Sequence, residues 1–338
     1  MYAYMSEQLA LAPVSTAPPA FAALDLGTNN CRLLVGAPVA GGFRVLDSYS
    51  RLVRLGEGLD ESGSLSPYAM DRALDALQGC ADRLARRPVR AVRAVATEAC
   101  RRALNGADFL ERVQRETGLT FDVISSREEA ELALESVTPL LAPLAASGTT
   151  RALLFDIGGG STELAWIRLA DRPHLPPELI GYVSLPVGVV GLAERWERHG
   201  FDVVADEVER QLRPFEAIHR IGAEIARGRV ALVGTSGTVT TLAGVALNLP
   251  RYRRPLVDGV VLSRDDAATA LARLRALGPD ALAAHPCVGA DRASFVLPGC
   301  AIYSAIARLW PASQVVVADR GLREGMLLRM MRAERTRR

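Results

Sequence analysis

Asp156, Gly158, Gly159, Gly160, Ser161 and Glu163 fall within eight residues, between two short apolar runs. Residues 152–155 read as a buried strand that ends in Asp156, and a second strand follows Glu163. Glycines let the backbone take φ > 0 and bring its N–H groups close to a ligand, so the turn suits a phosphate group. Two carboxylates beside such a turn would repel phosphate. A divalent cation between Asp156, Glu163 and the phosphate resolves the conflict, because hard cations take oxygen ligands. The same residues also fit a plain hairpin whose glycines serve only the turn.

Residues 21–36 repeat the pattern. A strand over 21–24 ends in Asp25, the stretch Gly27-Thr28-Asn29-Asn30 turns, and a second strand covers 31–35. Asp25 then matches Asp156, Gly27 matches Gly158, and Arg32 matches Glu163. The copies lie about 130 residues apart. That is too long for a solenoid repeat and fits a duplicated domain, two halves facing each other across a cleft. A third small-residue turn, Gly234-Thr235-Ser236-Gly237-Thr238, leads from a strand over 229–233 into a helix over 239–247. Strand, turn and helix N-terminus together make an anion-binding arrangement. No Lys follows the last glycine, so it is not a full phosphate-loop motif.

The elements needed to hold these turns can be read from periodicity and caps. A third strand covers 43–55. Ser66 caps a helix with Pro67 in its first turn and an apolar stripe of Met70, Ala73, Leu74, Leu77 and Leu84. Strands over 90–96 and 120–124 flank a helix over 109–117 that stops at Gly118. Ser125 or Ser126 caps a helix to about residue 144, in whose first turn Glu128 and Glu129 fit as ordinary dipole partners. In the second half, strands near 165–169 and 179–185 precede a helix through 198 and a long amphipathic helix over 206–228. A short strand over 258–262, helices over 265–276 and 291–309, and a strand over 314–318 follow. The last helix ends in a basic, frayed tail.

Length and composition bound the rest. A chain of 338 residues, 49% hydrophobic and 23% charged, has material for about two domains with a large core. The net charge of +2 gives no general case for nucleic acid or a membrane surface, so an anion site must come from local placement. The 40 basic residues are arginines, a matter of genomic composition. Five scattered cysteines without a CxxC pair read as reduced, buried thiols of a cytoplasmic protein. The four histidines lack metal-ligand spacing, and no run approaches the ~18–20 apolar residues of a membrane helix. Residues 1–19 read as a flexible extension that lacks the pattern of a signal peptide.

Taken in order, the blocks Leu24-Asp25-Leu26-Gly27-Thr28-Asn29, Ala96-Thr97-Glu98-Ala99-Cys100-Arg101, Ile124 to Ala130, Phe155 to Glu163, Gly234 to Thr238 and Asp319-Arg320-Gly321-Leu322-Arg323-Glu324-Gly325 resemble the exopolyphosphatase / guanosine pentaphosphate phosphohydrolase family of the actin-like ATPase superfamily. The resemblance covers about residues 20–330. It implies an α/β fold of two ribonuclease-H-like domains with an interdomain cleft. Residues 20–130 and about 322–338 would form the first domain and 131–321 the second. It implies removal of terminal phosphate from inorganic polyphosphate or guanosine pentaphosphate with Mg2+ or Mn2+, in a homodimer. Glu129 falls at the catalytic base, and Asp156 and Glu163 at acidic residues around metal and attacking water. Gly27, Thr28 and Asn29 match the first phosphate loop, and Gly158, Gly159, Gly160 and Ser161 the second. Gly237 and Thr238 belong to the third turn. Arg101 matches an arginine that holds the terminal phosphate, and Arg32 a position often basic.

Two departures stand out. The family helix continues Glu-Glu-Ala-Arg, whereas this chain has Glu131, which removes a positive charge near the site. Longer members carry a C-terminal helical domain after the Arg320 to Gly325 block, so a short polyphosphate or a nucleotide fits as well as a long chain. Two other readings share parts of the pattern: an actin-like kinase, and a non-catalytic sensor of guanosine tetra- or pentaphosphate. The Gly-Gly-Gly-Ser-Thr-Glu turn and the Glu128-Glu129 pair favour the phosphohydrolase over the kinase. The three acidic residues favour chemistry over sensing.

Overall fold

The computed structural model describes residues 19–170 and 175–336. The expected N-terminal extension lies almost wholly outside the described residues, as do the last two residues of the tail. The chain begins with β1 (Phe21–Leu26), β2 (Asn30–Val39) and β3 (Gly42–Leu52), then α1 (Leu59–Ser62), α2 (Pro67–Ala85), β4 (Ala91–Ala96), α3 (Glu98–Arg102), α4 (Gly106–Thr117) and β5 (Asp122–Val123). After α5 (Ser126–Ala146) come β6 (Arg151–Ile157), β7 (Thr162–Arg168), β8 (Glu178–Leu185), α6 (Val189–Glu194), α7 (Trp196–His219), α8 (Ile221–Ala226), β9 (Val230–Thr235) and α9 (Gly237–Ala246). The chain continues through α10 (Arg254–Val257), β10 (Val261–Ser263), α11 (Arg264–Arg275), α12 (Pro279–Ala284), a single 3-10 turn at Ala290–Arg292, α13 (Ala293–Leu309), β11 (Gln314–Val317) and α14 (Leu322–Thr336).

The duplication inferred from the two turns is a duplication of sheets. The first runs β3-β2-β1-β4-β5 and the second β10-β11-β9-β6-β7-β8. In each, a hairpin (β1–β2, β6–β7) is extended by a third antiparallel strand (β3, β8), while a parallel strand (β4, β9) lies on the other side of the first. This is the strand order of a ribonuclease-H-like α/β domain, and the fold has two of them. β1, β6 and β9 are buried on both faces over most of their length, which explains their apolar runs, whereas β4 exposes Val92 and carries Arg93 near its start.

Local signals formed the elements that flank the sheets. The Ser66 hydroxyl accepts the Ala69 amide at 3.2 Å with Pro67 at the first helical position. Ser125, not Ser126, caps α5 by accepting the Glu128 amide at 3.2 Å. Such caps contribute about 1 kcal/mol each. The expected long helix over 206–228 is instead divided. α7 is itself broken at Gly200 (φ 69°, ψ 175°), so its continuous part runs from Phe201, still earlier than expected, and Arg220 takes a left-handed φ of 50° between α7 and α8. The Glu216 carboxylate accounts for the break at Arg220: it accepts the Gly222 amide and the Trp310 indole N–H, the latter at 2.7 Å. The third strand also stops short of residue 55, because the amides of Val53 and Arg54 both donate to the Asn29 carbonyl and fasten this segment to the first turn.

Two helices join the halves. α5 sends Ala133, Val137 and Leu141 into a cluster with Ala152 and Leu154 of β6. Its Leu132 instead packs with Phe21, Val95, Met326 and Leu327, which ties α14 back onto the first sheet. The crossing of α5 and α14 is so close that a Cβ on Gly325 would lie 2.1 Å from the Leu132 carbonyl oxygen. Only glycine permits that approach.

Candidate active site

The C-terminal ends of the parallel strands β1, β4, β6 and β9 converge on one cavity of about 340 Å³, the usual place for a ligand in an α/β sheet. Lining it are Asp25, Gly27, Thr28, Asn29 and Arg32 from the first hairpin, and Asp156, Gly158, Gly159, Gly160, Ser161 and Glu163 from the second. Ser236, Gly237 and Thr238 enter from the start of α9, and Glu129 from the start of α5. Of the residues expected at the site, all but Arg101 therefore line a single cavity.

The two hairpin turns touch. A Cβ on Gly160 would lie 2.5 Å from the Thr28 hydroxyl oxygen, so the loops meet only because position 160 has no side chain. The Val189 and Val190 amides at the start of α6 donate to the carbonyls of Gly158 and Gly159. Across a trans peptide the N–H points opposite the carbonyl, so the amides of Gly159 and Gly160 face away from α6. The third turn is held in an unusual backbone state: Ser236 has φ 105°, and its hydroxyl caps α9. Non-glycine residues in such a state concentrate at binding sites.

Strand register sets the charges. Asp25 lies directly opposite Arg32 across β1–β2, and Asp156 directly opposite Glu163 across β6–β7. The Ser184 hydroxyl on β8 donates to Glu163 at 2.9 Å. Burial raises the Asp156 and Glu163 carboxyls above the usual range, and the charge of Asp156 adds to the rise at Glu163. Burial also raises Asp25, opposed by the positive charges of Arg32 and Arg323. These oxygens fit a divalent cation. The facing carboxylates repel each other without one, and the buried Oδ1 of Asn29 nearby has no hydrogen-bond partner. Among the described residues no trio of side chains forms a closed metal cage. Two carboxylates with remaining positions for water and phosphate oxygens is the open arrangement typical of Mg2+.

Arg101 is turned differently from the expectation. Its guanidinium donates to Glu129 Oε2 at 3.0 Å, to the Ile124 carbonyl at 2.6 Å, and to Glu98. It thus backs the wall formed by Glu98 and Glu129 and does not line the cavity. Burial, then the charge of Glu163, drive the Glu129 carboxyl upward to about 9, opposed by Arg101. Glu131 does not line the cavity either: it pairs with Arg127 at 3.0 Å along α5.

Several contributors were not among the residues expected at the site, although Glu98 and Thr235 lie inside blocks of the pattern. Glu98 is buried and lines the cavity. Its three-residue spacing from Arg101 on a helix was the available signal. Ser184 and the Thr235 hydroxyl, a partner of Asp156, become visible only through strand register. Arg292 and Phe295 line the cavity from the second half, and the guanidinium carbon of Arg54, from the first half, lies 5.4 Å from the Phe295 ring centroid. All five cysteines are buried and free, as expected. No helix among the described residues is long and apolar enough to cross a membrane.

Solved structures share this architecture. The Aquifex aeolicus member of the Ppx/GppA protein family is 27% identical, with a TM-score of 0.72 over 94% of this chain and 98% of that one. An exopolyphosphatase-like protein is 26% identical, with a TM-score of 0.81 over 92% and 97%. An exopolyphosphatase from Cytophaga hutchinsonii, at 24% identity, shares the fold with a TM-score of 0.77 over 93% and 98%. A model of the Ppx/GppA phosphatase family matches residues 34–334. With nearly the whole length matched and the acidic cleft in place, the chain belongs to the Ppx/GppA phosphatase family.

Proposed function

We propose that this phosphatase releases terminal phosphate from inorganic polyphosphate or guanosine pentaphosphate by base-assisted attack of water, with Mg2+ or Mn2+ as cofactor and a cytoplasmic homodimer as its working form. The observation that supports this reading best is that Glu129, Asp156 and Glu163 line the same cavity as the glycine turns.

Phosphoryl transfer needs charge neutralisation, in-line positioning and an oriented water. The amides of Gly159 and Gly160, the Ser161 and Thr28 hydroxyls and the Arg32 guanidinium offer donors to the phosphate oxygens. Gly237 and Thr238, at the N-terminus of α9, offer the partial positive charge of a helix start. Asp156 and Glu163 would hold the divalent cation, which when bound neutralises phosphate charge and acidifies water. Glu129 takes a proton from the attacking water as its oxygen bonds to the terminal phosphorus. The anhydride bond breaks, and its electron pair leaves on the bridging oxygen of the shortened substrate. Arg101, which also bonds Glu98, holds Glu129 in place, and a terminal phosphate entering beside them competes for its guanidinium.

The test is phosphate release with Mg2+ from short polyphosphate, long polyphosphate and guanosine pentaphosphate in parallel, without an acceptor. Turnover of at least one is the expected result. Turnover that requires a nucleotide or sugar acceptor would establish a kinase, and tight binding without release would establish a sensor.

A further inference from the structure

At the opposite end of the second sheet from the cleft, we infer a separate binding site for a polyvalent phosphate anion, built from Arg151, Arg168 and Arg229. Arg151 opens β6 and lies directly opposite Arg168 at the end of β7. Arg229 immediately precedes β9, and its carbonyl accepts the amides of Thr150 and Arg151. Three neighbouring strands thus bring three arginines to one sheet end. They line an open recess of about 590 Å³ together with Thr150, Glu224 and Arg227.

Like charges directly opposite in a sheet destabilise it. Here the compensation of that charge is incomplete. Glu178 accepts from Arg168 at 2.6 Å, and Glu224 pairs with Arg227 at 2.5 Å. Among the described residues, no carboxylate stands within ion-pair distance of Arg151 or Arg229. Arg151 Nη1 is moreover buried without any hydrogen-bond acceptor. A buried donor left unpaired is uncommon in a folded protein, and a charged one is costly. The missing component is an anion with several oxygens. A single carboxylate engages one guanidinium, whereas linked phosphates engage the forks of two or three arginines on strands about 4.8 Å apart.

The recess is distinct from the cleft. Arg151 and Asp156 stand near the two ends of β6, and at about 3.3 Å per residue the ends of this strand lie roughly 20 Å apart. An anion at Arg151 therefore leaves the cavity open.

The test is calorimetric titration of tripolyphosphate into the full chain carrying Glu129→Gln, to retard turnover, with and without Arg151→Gln plus Arg229→Gln. The expected result is the loss of one bound anion per chain. Arg229 is exposed, so Arg229→Glu alone serves as a variant that leaves folding intact. It should weaken that site at least tenfold at an unchanged melting temperature. Unchanged stoichiometry and affinity would overturn the inference. Displacement of tripolyphosphate by equally low concentrations of poly-glutamate would also overturn it, by showing an acidic-peptide surface in place of a phosphate site.

Discussion

Asp156 and Glu163 face each other across the β6–β7 ladder, at the rung where the first sheet pairs Asp25 with Arg32. One half of the duplication has an opposite-charge pair and the other a like-charge pair. The like-charge pair is unfavourable by itself, so its energetics report whether a cation belongs between them.

Glu163→Gln removes one of the facing charges and retains a group that accepts from Ser184. In chelator, the variant is expected to be more stable than the parent by about 0.2–1 kcal/mol, the scale of a cross-strand charge pair. Magnesium should then stabilise the parent and fail to stabilise the variant. Thermal melting with and without Mg2+ checks both statements, and a variant that melts lower in chelator would show that the pair does not repel.

Glu129→Gln keeps the shape of the cavity wall and removes the proton acceptor. Phosphate release should fall by at least about two orders of magnitude while substrate binding is retained, as for loss of a general base. Turnover within about threefold of the parent would remove Glu129 from the role.

The pH dependence follows from the surroundings of Glu129. Burial raises its carboxyl, and the Arg101 charge and hydrogen bond oppose that rise. As the base must be ionised, kcat/KM should climb with pH through the pKa of the free enzyme. Arg101→Gln removes the opposing charge and should move the climb to higher pH by about one unit. Stability has the opposite slope. A carboxyl raised on folding contributes most below its unfolded pKa, and that contribution is lost as pH rises through the folded value. The metal-free protein should therefore melt lower at pH 9 than at pH 6. A pH profile unmoved by Arg101→Gln would dissociate the two residues.

Contact between the two turns depends on Gly160. In Gly160→Ala the new methyl meets the Thr28 hydroxyl. A loss of about 1–3 kcal/mol, or an equivalent rise in KM from an opened cleft, is expected for such overpacking. Thr28→Ala in the same chain removes the obstructing atoms and should restore part of the loss. The double-mutant cycle should give a coupling of at least about 0.5 kcal/mol. Strict additivity would mean that the turns do not touch in solution.

Gly325→Ala probes positioning from a distance. Its methyl would press on the Leu132 carbonyl, one turn along α5 from Glu129. The expected outcome is a lower melting temperature together with a fall in kcat greater than the change in KM. A destabilised variant with normal kcat would show that the α5–α14 crossing does not set the base.

The sequence by itself determined which residues can do chemistry and how the local elements begin and end. Repetition of Asp-x-Gly turns revealed the duplication, because a turn's residue types follow from local backbone requirements. Ser66 and Pro67 announced α2 for the same reason. Tertiary structure decided what depends on contacts distant in the chain. Strand register placed Asp156 opposite Glu163 and Ser184 beside them, and no local pattern encodes register. Packing turned Arg101 onto Glu129, although Arg101 lies in a block legible as a motif, and it paired Glu131, the residue after another such block, with Arg127 away from the cavity lining. The Glu216 contacts with Gly222 and Trp310 divided a helix whose periodicity ran on uninterrupted. At the far end of β6, the ladder brought together arginines that composition alone had marked as unremarkable charge. Motifs name residue types, but the direction a side chain takes is settled by the partners that folding brings within hydrogen-bond reach.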